Sequence, residues 1–566
     1  MSDFFTSEKF VDLTQKTLYK VLGGYADKLN DGPSFINAAD YDSRYFFKGN
    51  DKFRKIAVKG TKWSLGAAVV DLNPTDYKER DYYLGGYLTI ENGFNNRIQS
   101  IIDRMSCRII ALDDGSGRGV SLFGTIDCIG TGNSDIKRIR RRFTDIMKYA
   151  HPEAKINTVN VFSTHAHSCV DTQGLWTDTL GKLKHNRRKN KTGKGTYLNG
   201  ADEQYMNFLT AAIAKGMVEA YENMTPGKMT FARKDIGGEY FHNKNRRSAT
   251  AIVTDMTRLV FTPDDSAKRP TVIVSVGAHP DVAGLPTTDG SGTGRDLCGE
   301  YVYYMGEIIN RAGCDFMFFN GAICAIYMSR GASNDGVNMA HRYEQSARYG
   351  RELGRIALSL TKTIEEIKAD KLLYDEDEIK LEKAQSEANG IKYTLWCEDH
   401  EPVKESEVSP ILNIRLKEVK VPVDNPLIKI VGKLNLASYK VLREKDGSYS
   451  VFTEIGYMEI GKELKIVMVP GEFCADLLAG GNSLTAEGSY NKKDFPYPPL
   501  EKMFGCKLTA FGLANDAIGY IVPDNDYVLG EFANHYHELI SLGRITGSSI
   551  MRGFTELKKE IEEGAN

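Results

Sequence analysis

Short apolar runs rich in β-favouring residues recur along this chain, each closed by polar or turn residues, and segments of helical period separate them. Leu65 to Asp76 (LGAAVVDLNPTD) reads as a strand that Asp71 and Pro74 close. Ile109 to Leu112 and Val120 to Ile126 flank DDGSGRG, which predicts a hairpin with a glycine-rich tip. Ala249 to Phe261 and Thr271 to Val276 are strand-like, and the second ends in GAHPD. Phe316 to Phe319 runs into NGAICAIYMSRG, Leu464 to Val469 into PGEF, and Leu508 to Leu513 into NDAIGYIVPDNDY. Tyr205, Phe208, Leu209, Ala212, Ile213, Gly216 and Met217 fall at helical spacing, so Asp202 to Glu222 is expected as a helix packed on a sheet. Lys137 to Tyr149 and Met339 to Ile367 also read as helical.

The stretch that organises these elements is Ile156 to Trp176, INTVNVFSTHAHSCVDTQGLW. Val159, Val161 and Phe162 make a buried strand, and Ser163-Thr164 end it just before His165 and His167. Residues two apart in an extended segment point the same way, so both imidazoles could face one pocket at the strand's end. There they suit zinc or acid-base work, although solvated or hydrogen-bonded histidines fit the pattern equally.

Composition narrows the function classes. Lys plus Arg total 73 and Asp plus Glu 75 in 566 residues, so no long-range field recommends nucleic acid or an anionic membrane as partner. The basic piece KLKHNRRKNKTGKGTYLNG is expected as an exposed, mobile loop rather than a nucleic-acid patch. Nine cysteines without a CxxC pair suit reduced thiols, and no apolar run reaches signal-peptide or membrane-spanning length, which predicts a soluble cytoplasmic protein. The glycine-rich Thr287 to Tyr301 lacks the lysine and spacing of a P-loop and misses the dinucleotide fingerprint, so a tight loop before a helix is expected. Residues 1–55 are polar, with one amphipathic helix (Phe10, Leu13, Leu18, Val21, Leu22), and read as an N-terminal extension. Residues 368 to about 420 are charged and irregular and read as an insertion, and residues 546–566 as a C-terminal helix.

Several predicted strands end in a metal-competent residue: His165, His279, Glu472 and, a little past the last strand, Tyr527. Ligand sites of α/β sheets lie at strand ends, so these distant residues could converge. Two imidazoles and a carboxylate make the His₂Glu set of many hydrolytic zinc sites, where bound water is acidified to about pKa 7. The bland readings are that Glu472 caps a helix and that His279, before proline, is a buried turn residue.

In order along the chain, AVVDLNP (Ala68 to Pro74), STHAHS (Ser163 to Ser168), AHPD (Ala278 to Asp281), NGA (Asn320 to Ala322), VPGEF (Val469 to Phe473) and IGYIVP (Ile518 to Pro523) resemble motifs of the neutral/alkaline non-lysosomal ceramidase family. The resemblance implies an α/β layered sandwich of mixed sheets flanked by helices, with residues 56–545 as the catalytic domain. It implies zinc held by His165, His279, Glu472 and Tyr527, a substrate-facing His167, and an arginine beside the scissile amide at Arg246. The chain departs from the family where a GDxS segment carries a functional serine: here stands Cys324-Ala325-Ile326-Tyr327, with Tyr327 at the serine's place. CVDTQGLW likewise replaces a GPGG-like segment. The expectation is therefore a zinc-dependent hydrolase of an amide or related acyl bond in a small soluble molecule rather than in long-chain ceramide, with no nucleic-acid or membrane partner and a homo-oligomer allowed. The rival expectations are a metal-binding relative without activity and a related scaffold acting on a non-amide bond.

Overall fold

The computed structural model describes residues 8–87, 96–243, 251–281, 295–329, 342–388, 393–531 and 535–565. Eight strands in chain order, β1 (Trp63–Asp71), β2 (Ser106–Asp113), β3 (Val120–Ile126), β4 (Ile156–Ser163), β5 (Thr225–Asp235), β6 (Asp255–Pro263), β7 (Thr271–Val276) and β8 (Asp315–Asn320), form one mixed sheet in the order β8-β7-β6-β5-β1-β2-β3-β4. Ser406–Glu407 adds a short ninth strand on β5. A second sheet comprises β9 (Leu412–Pro422), β10 (Tyr449–Ile460), β11 (Leu464–Met468) and β13 (Thr509–Phe511), extended by Val441–Arg443 and Phe35–Asn37. Between β11 and β13 lies β12 (Glu472–Phe473), which pairs in parallel with β14 (Tyr520–Ile521).

The two sheets pack face to face and helices cover both outer faces, an α/β layered sandwich of mixed sheets. The continuous apolar runs follow from this layering, because a strand buried on both faces has no solvent side to alternate with. Along β2, Cys107, Ile109 and Ala111 turn toward α2 (Asn133–Ala150) and α4 (Glu203–Glu222), whereas Ile110 and Leu112 turn toward Ile414, Met458 and Ile466 of the second sheet. Each such side chain, once fully buried, contributes roughly 1.5–3 kcal/mol. α5 (Glu300–Arg311) and α6 (Arg342–Ser359) cover the β6-β7-β8 end, and α8 (Thr546–Ala565) covers the second sheet. The N-terminal α1 (Glu8–Lys28) packs on α7 (Pro426–Lys433).

Three readings of the chain change. The basic segment expected to be a mobile loop contains α3 (Thr179–Thr192), capped by Asp178 at its start and by left-handed Gly193 at its end. Its buried stripe is polar: Lys182 Nζ donates to Leu436 O (2.9 Å), Asn186 Nδ2 to Leu434 O (2.8 Å) and Asn190 Nδ2 to Asn30 O (2.8 Å). The charged stretch read as an insertion to about residue 420 ends in β9, which pairs with β10 from Leu412↔Ile460 to Pro422↔Ser450. The long helix expected from Met339 to Ile367 is broken: α6 ends at Ser359, and a capping box at Thr363 and Glu366 starts a separate helix, Ile364–Ala369. No helix among the described residues is long and apolar enough to cross a membrane.

Candidate metal centre

β3 and β4, β7 and β8, and β11 and β13 are three parallel pairs, and the segments that follow β4 and β7 meet, with the His165 and His279 ring centroids 4.7 Å apart. His165 follows β4 in a left-handed conformation (φ 68°), a backbone strain that L-residues with a side chain hold only where the surroundings enforce it. Its Nδ1 faces the Ile129 carbonyl at 2.7 Å. His279 follows β7; its backbone N–H and its Nδ1 both reach the Ile326 carbonyl, at 2.9 and 2.8 Å. A carbonyl only accepts, so each ring carries its proton on Nδ1 and turns Nε2 away from it.

Both Nε2 atoms meet one carboxylate oxygen. Glu472 Oε2 lies 3.0 Å from His279 Nε2 and 3.4 Å from His165 Nε2, with all three residues buried. Two imidazole lone pairs and a carboxylate oxygen repel one another unless a proton or a cation stands between them. The titration behaviour says the same. Burial pushes the His165 imidazole toward neutrality, yet the Glu472 charge, its hydrogen bond and the Ile129 carbonyl outweigh that and raise its pKa. Burial pushes Glu472 up, and His165 and His279 outweigh it, holding the carboxyl well below the usual range.

His167 belongs to the same cluster. One ligand atom from each of His165, His167 and His279 lies within 4.8 Å of the others, and all three rings are buried. The ring centroids of His165 and His167 are 4.7 Å apart, so two residues of separation do bring both imidazoles to one pocket. Gly86 makes room for His167: it has φ 115°, and a Cβ there would stand 2.5 Å from His167 Nδ1. These three imidazoles could hold a metal ion, with the Glu472 carboxylate beside them.

Asn320, at the end of β8, ties the histidine loops together. Its Nδ2 donates to Thr164 O (2.8 Å) and Ala278 O (3.0 Å), and its Oδ1 accepts from Ala278 N (3.2 Å) and Gly321 N (2.9 Å). Asn515 plays a matching part from the second sheet, accepting from Val161 N (2.9 Å) while its own N–H reaches Val161 O (2.7 Å). The residues before both histidines are thus held by side-chain amides.

Tyr327 lies over the cluster, its ring stacked on His279 at 4.3 Å and 15°, and its hydroxyl makes a short hydrogen bond with that of Tyr536. Tyr527 does not join them. Its buried hydroxyl lies 3.5 Å from that of Tyr19, while Tyr520, two residues into IGYIVP, pairs in register with Glu472 and lines the same cavity as His165 and His167. Tyr520 and Tyr536, two phenols that reading the sequence passed over, line that cavity. Arg246 lies outside the described residues.

A cavity of about 760 Å³ opens from the cluster. The segment that replaces the GPGG-like stretch forms part of its wall, with Gln173, Leu175 and Trp176 facing it. Asp171 fixes that turn by accepting from Gln173 N, Gly174 N, Trp176 N and Thr177 Oγ1 at 2.8 to 2.9 Å.

Among solved structures, a neutral ceramidase from Pseudomonas aeruginosa superposes on this chain with TM-score 0.55 at 13% identity, covering 89% of this chain and 75% of that one. The fold is ceramidase-like. A second ceramidase, complexed with C2, gives TM-score 0.54 at 12% identity over 89% of this chain and 76% of its own. No protein-family model and no curated protein matches the sequence. At this identity the likeness establishes the architecture expected from the motif series, a divergent member of the ceramidase-like fold, and leaves the chemistry to the residues at the cluster.

Proposed function

We propose that this protein is a metal-dependent hydrolase of an amide or related acyl bond, with zinc as the cation. The single observation that carries the reading is the convergence of His165 Nε2 and His279 Nε2 on Glu472 Oε2 beside a large cavity. Nitrogen and oxygen donors in this set suit zinc, and bound zinc would supply Lewis-acid polarisation of a carbonyl and acidify water. The Ile129 and Ile326 carbonyls hold the two rings in the tautomer such a ligand needs. His167, against the cavity, is placed to take up or return a proton during attack and leaving-group departure. The paired hydroxyls of Tyr327 and Tyr536 offer a hydrogen-bond donor to the developing oxyanion, a role that suits phenols kept protonated by burial. The cavity volume lies within the usual range for ligand sites, and its walls around Val423, Ile428, Val431 and Leu542 are apolar. These features favour a small substrate that carries an apolar group.

Metal analysis of protein purified without chelator, joined to a screen of acyl amides, tests the reading. About one equivalent of zinc and hydrolysis that both disappear in His279→Ala support it. Less than about half an equivalent of any transition metal overturns it. The presence of Tyr327 at the position of the family's serine favours one rival, a metal-binding protein without activity. Zinc at full occupancy with no amide or ester turned over would establish that rival.

A further inference from the structure

We propose that the cavity takes an amide whose apolar chain ends in an anionic group, and that Arg141 and Lys440 recognise that group. The inference rests on the hydrolase reading and specifies its substrate class. α2 serves as a ruler. Its residues Asn133, Ser134, Lys137, Arg138 and Arg141 line the cavity from one helix face, while Ile136, Ile139 and Phe143 occupy the core on the other. Just before the helix, Ile129 holds His165, so a ligand lying along this face starts at the cluster. From Asn133 to Arg141 the helix advances about 12 Å. Opposite it, Val423, Ile428, Val431 and Leu542 give the middle of the cavity an apolar wall.

Most of the charged side chains along this wall are already paired. Lys137 pairs with Glu418 (3.2 Å) and donates to Tyr41 Oη (2.7 Å); Arg138 pairs with Asp135 (2.7 Å), and Arg44 with Asp42 (2.6 Å). Asp40 accepts from Asn37 Nδ2 at 3.1 Å. Arg141 and Lys440 are exposed, line the cavity and make no ion pair among the described residues, Lys440 acting at longer range on Asp135 in the first turn of α2. Two cations without an ion-pair partner on the wall of a cavity with an apolar middle attract an anion and repel a cation, and low-dielectric walls concentrate their field. The arginine fork adds bidentate binding of a carboxylate, sulfate or phosphate.

The test compares ω-carboxyacyl p-nitroanilides of increasing chain length with their methyl esters, using the full-length zinc-loaded protein. kcat/KM for the acid should exceed that for the ester by on the order of tenfold once the chain spans the ruler, and the preference should shrink with salt. Arg141→Ala with Lys440→Ala should bring the two substrates within about twofold, and Arg141→Lys with Lys440→Arg should restore most of the preference. Equal kcat/KM for acid and ester, or a preference that survives the double alanine substitution, overturns the proposal. If neither compound is hydrolysed, the amidase reading fails by itself, and calorimetric binding of the same pair decides this one. Tighter binding of the acid, lost in the double alanine variant, upholds it, and equal binding overturns it.

Discussion

Replacing Asn320 with leucine tests whether one buried amide positions the metal cluster. Leucine has nearly the same shape, so the perturbation is the loss of hydrogen bonds rather than a cavity. Of the four bonds in place, the Ala278 carbonyl retains a partner in Tyr301 Oη at 3.0 Å, whereas Thr164 O, Ala278 N and Gly321 N lose the amide that satisfied them. Each orphaned buried group costs about 1–3 kcal/mol, and neighbouring losses are partly shared, so a destabilisation of about 3–5 kcal/mol is expected. Thr164 and Ala278 immediately precede His165 and His279, and partners that orient metal ligands typically account for about 10–100-fold in affinity. Urea unfolding and competitive zinc titration measure the two effects. A destabilisation below about 1 kcal/mol with unchanged zinc affinity would refute the reasoning, because it would mean that the loops hold the histidines without Asn320.

Further outcomes follow from other buried groups. Arg140 forms a bidentate pair with Glu454 (2.7 and 2.8 Å), both essentially buried, linking α2 to the second sheet; Arg140→Met should cost about 3–5 kcal/mol in denaturant unfolding, and adding Glu454→Leu should recover most of it, since the cost lies in the stranded charge. Burial, helped by Glu454, outweighs the backbone donors Ala517 N and Asn133 N and pushes Asp516 up to about 7. A carboxyl raised on folding favours the protonated native state, so its contribution is fully present below the unfolded pKa near 4 and is lost as pH rises through about 7. Asp516→Asn keeps the Oδ1 acceptor and should be more stable than the parent by up to about 4 kcal/mol at pH 8, the difference vanishing toward pH 4 in pH-resolved urea titrations. Zinc at about 100 times its Kd should raise unfolding free energy by about 2.7 kcal/mol, an increase that chelator reverses and that is absent in His165→Ala.

The pattern of apolar and polar residues by itself determined where buried strands run, and the motif resemblance supplied their arrangement in a layered sandwich. β2, β7 and β8 carry runs of successive apolar residues, which strands covered on both faces tolerate, and turn-forming or polar residues follow each. The placement of His165, His279 and Glu472 at strand ends was legible for the same reason. Tertiary structure decided what the pattern does not record, namely which partner each residue meets after it leaves water. α3 was illegible because its buried stripe is Lys182, Asn186 and Asn190, whose cost of burial is offset by carbonyls far away in sequence. β9 was obscured because Arg415, Lys417 and Glu418 interrupt its apolar residues, and their charges are met by Asp51, Glu560 and Lys137 across the fold. Tyr520 comes beside Glu472 through the parallel pairing of β14 with β12, a contact between segments 48 residues apart that local spacing does not encode. Hydrophobic periodicity reports burial, and burial is a property of a segment and water; a site is a property of several segments and one another.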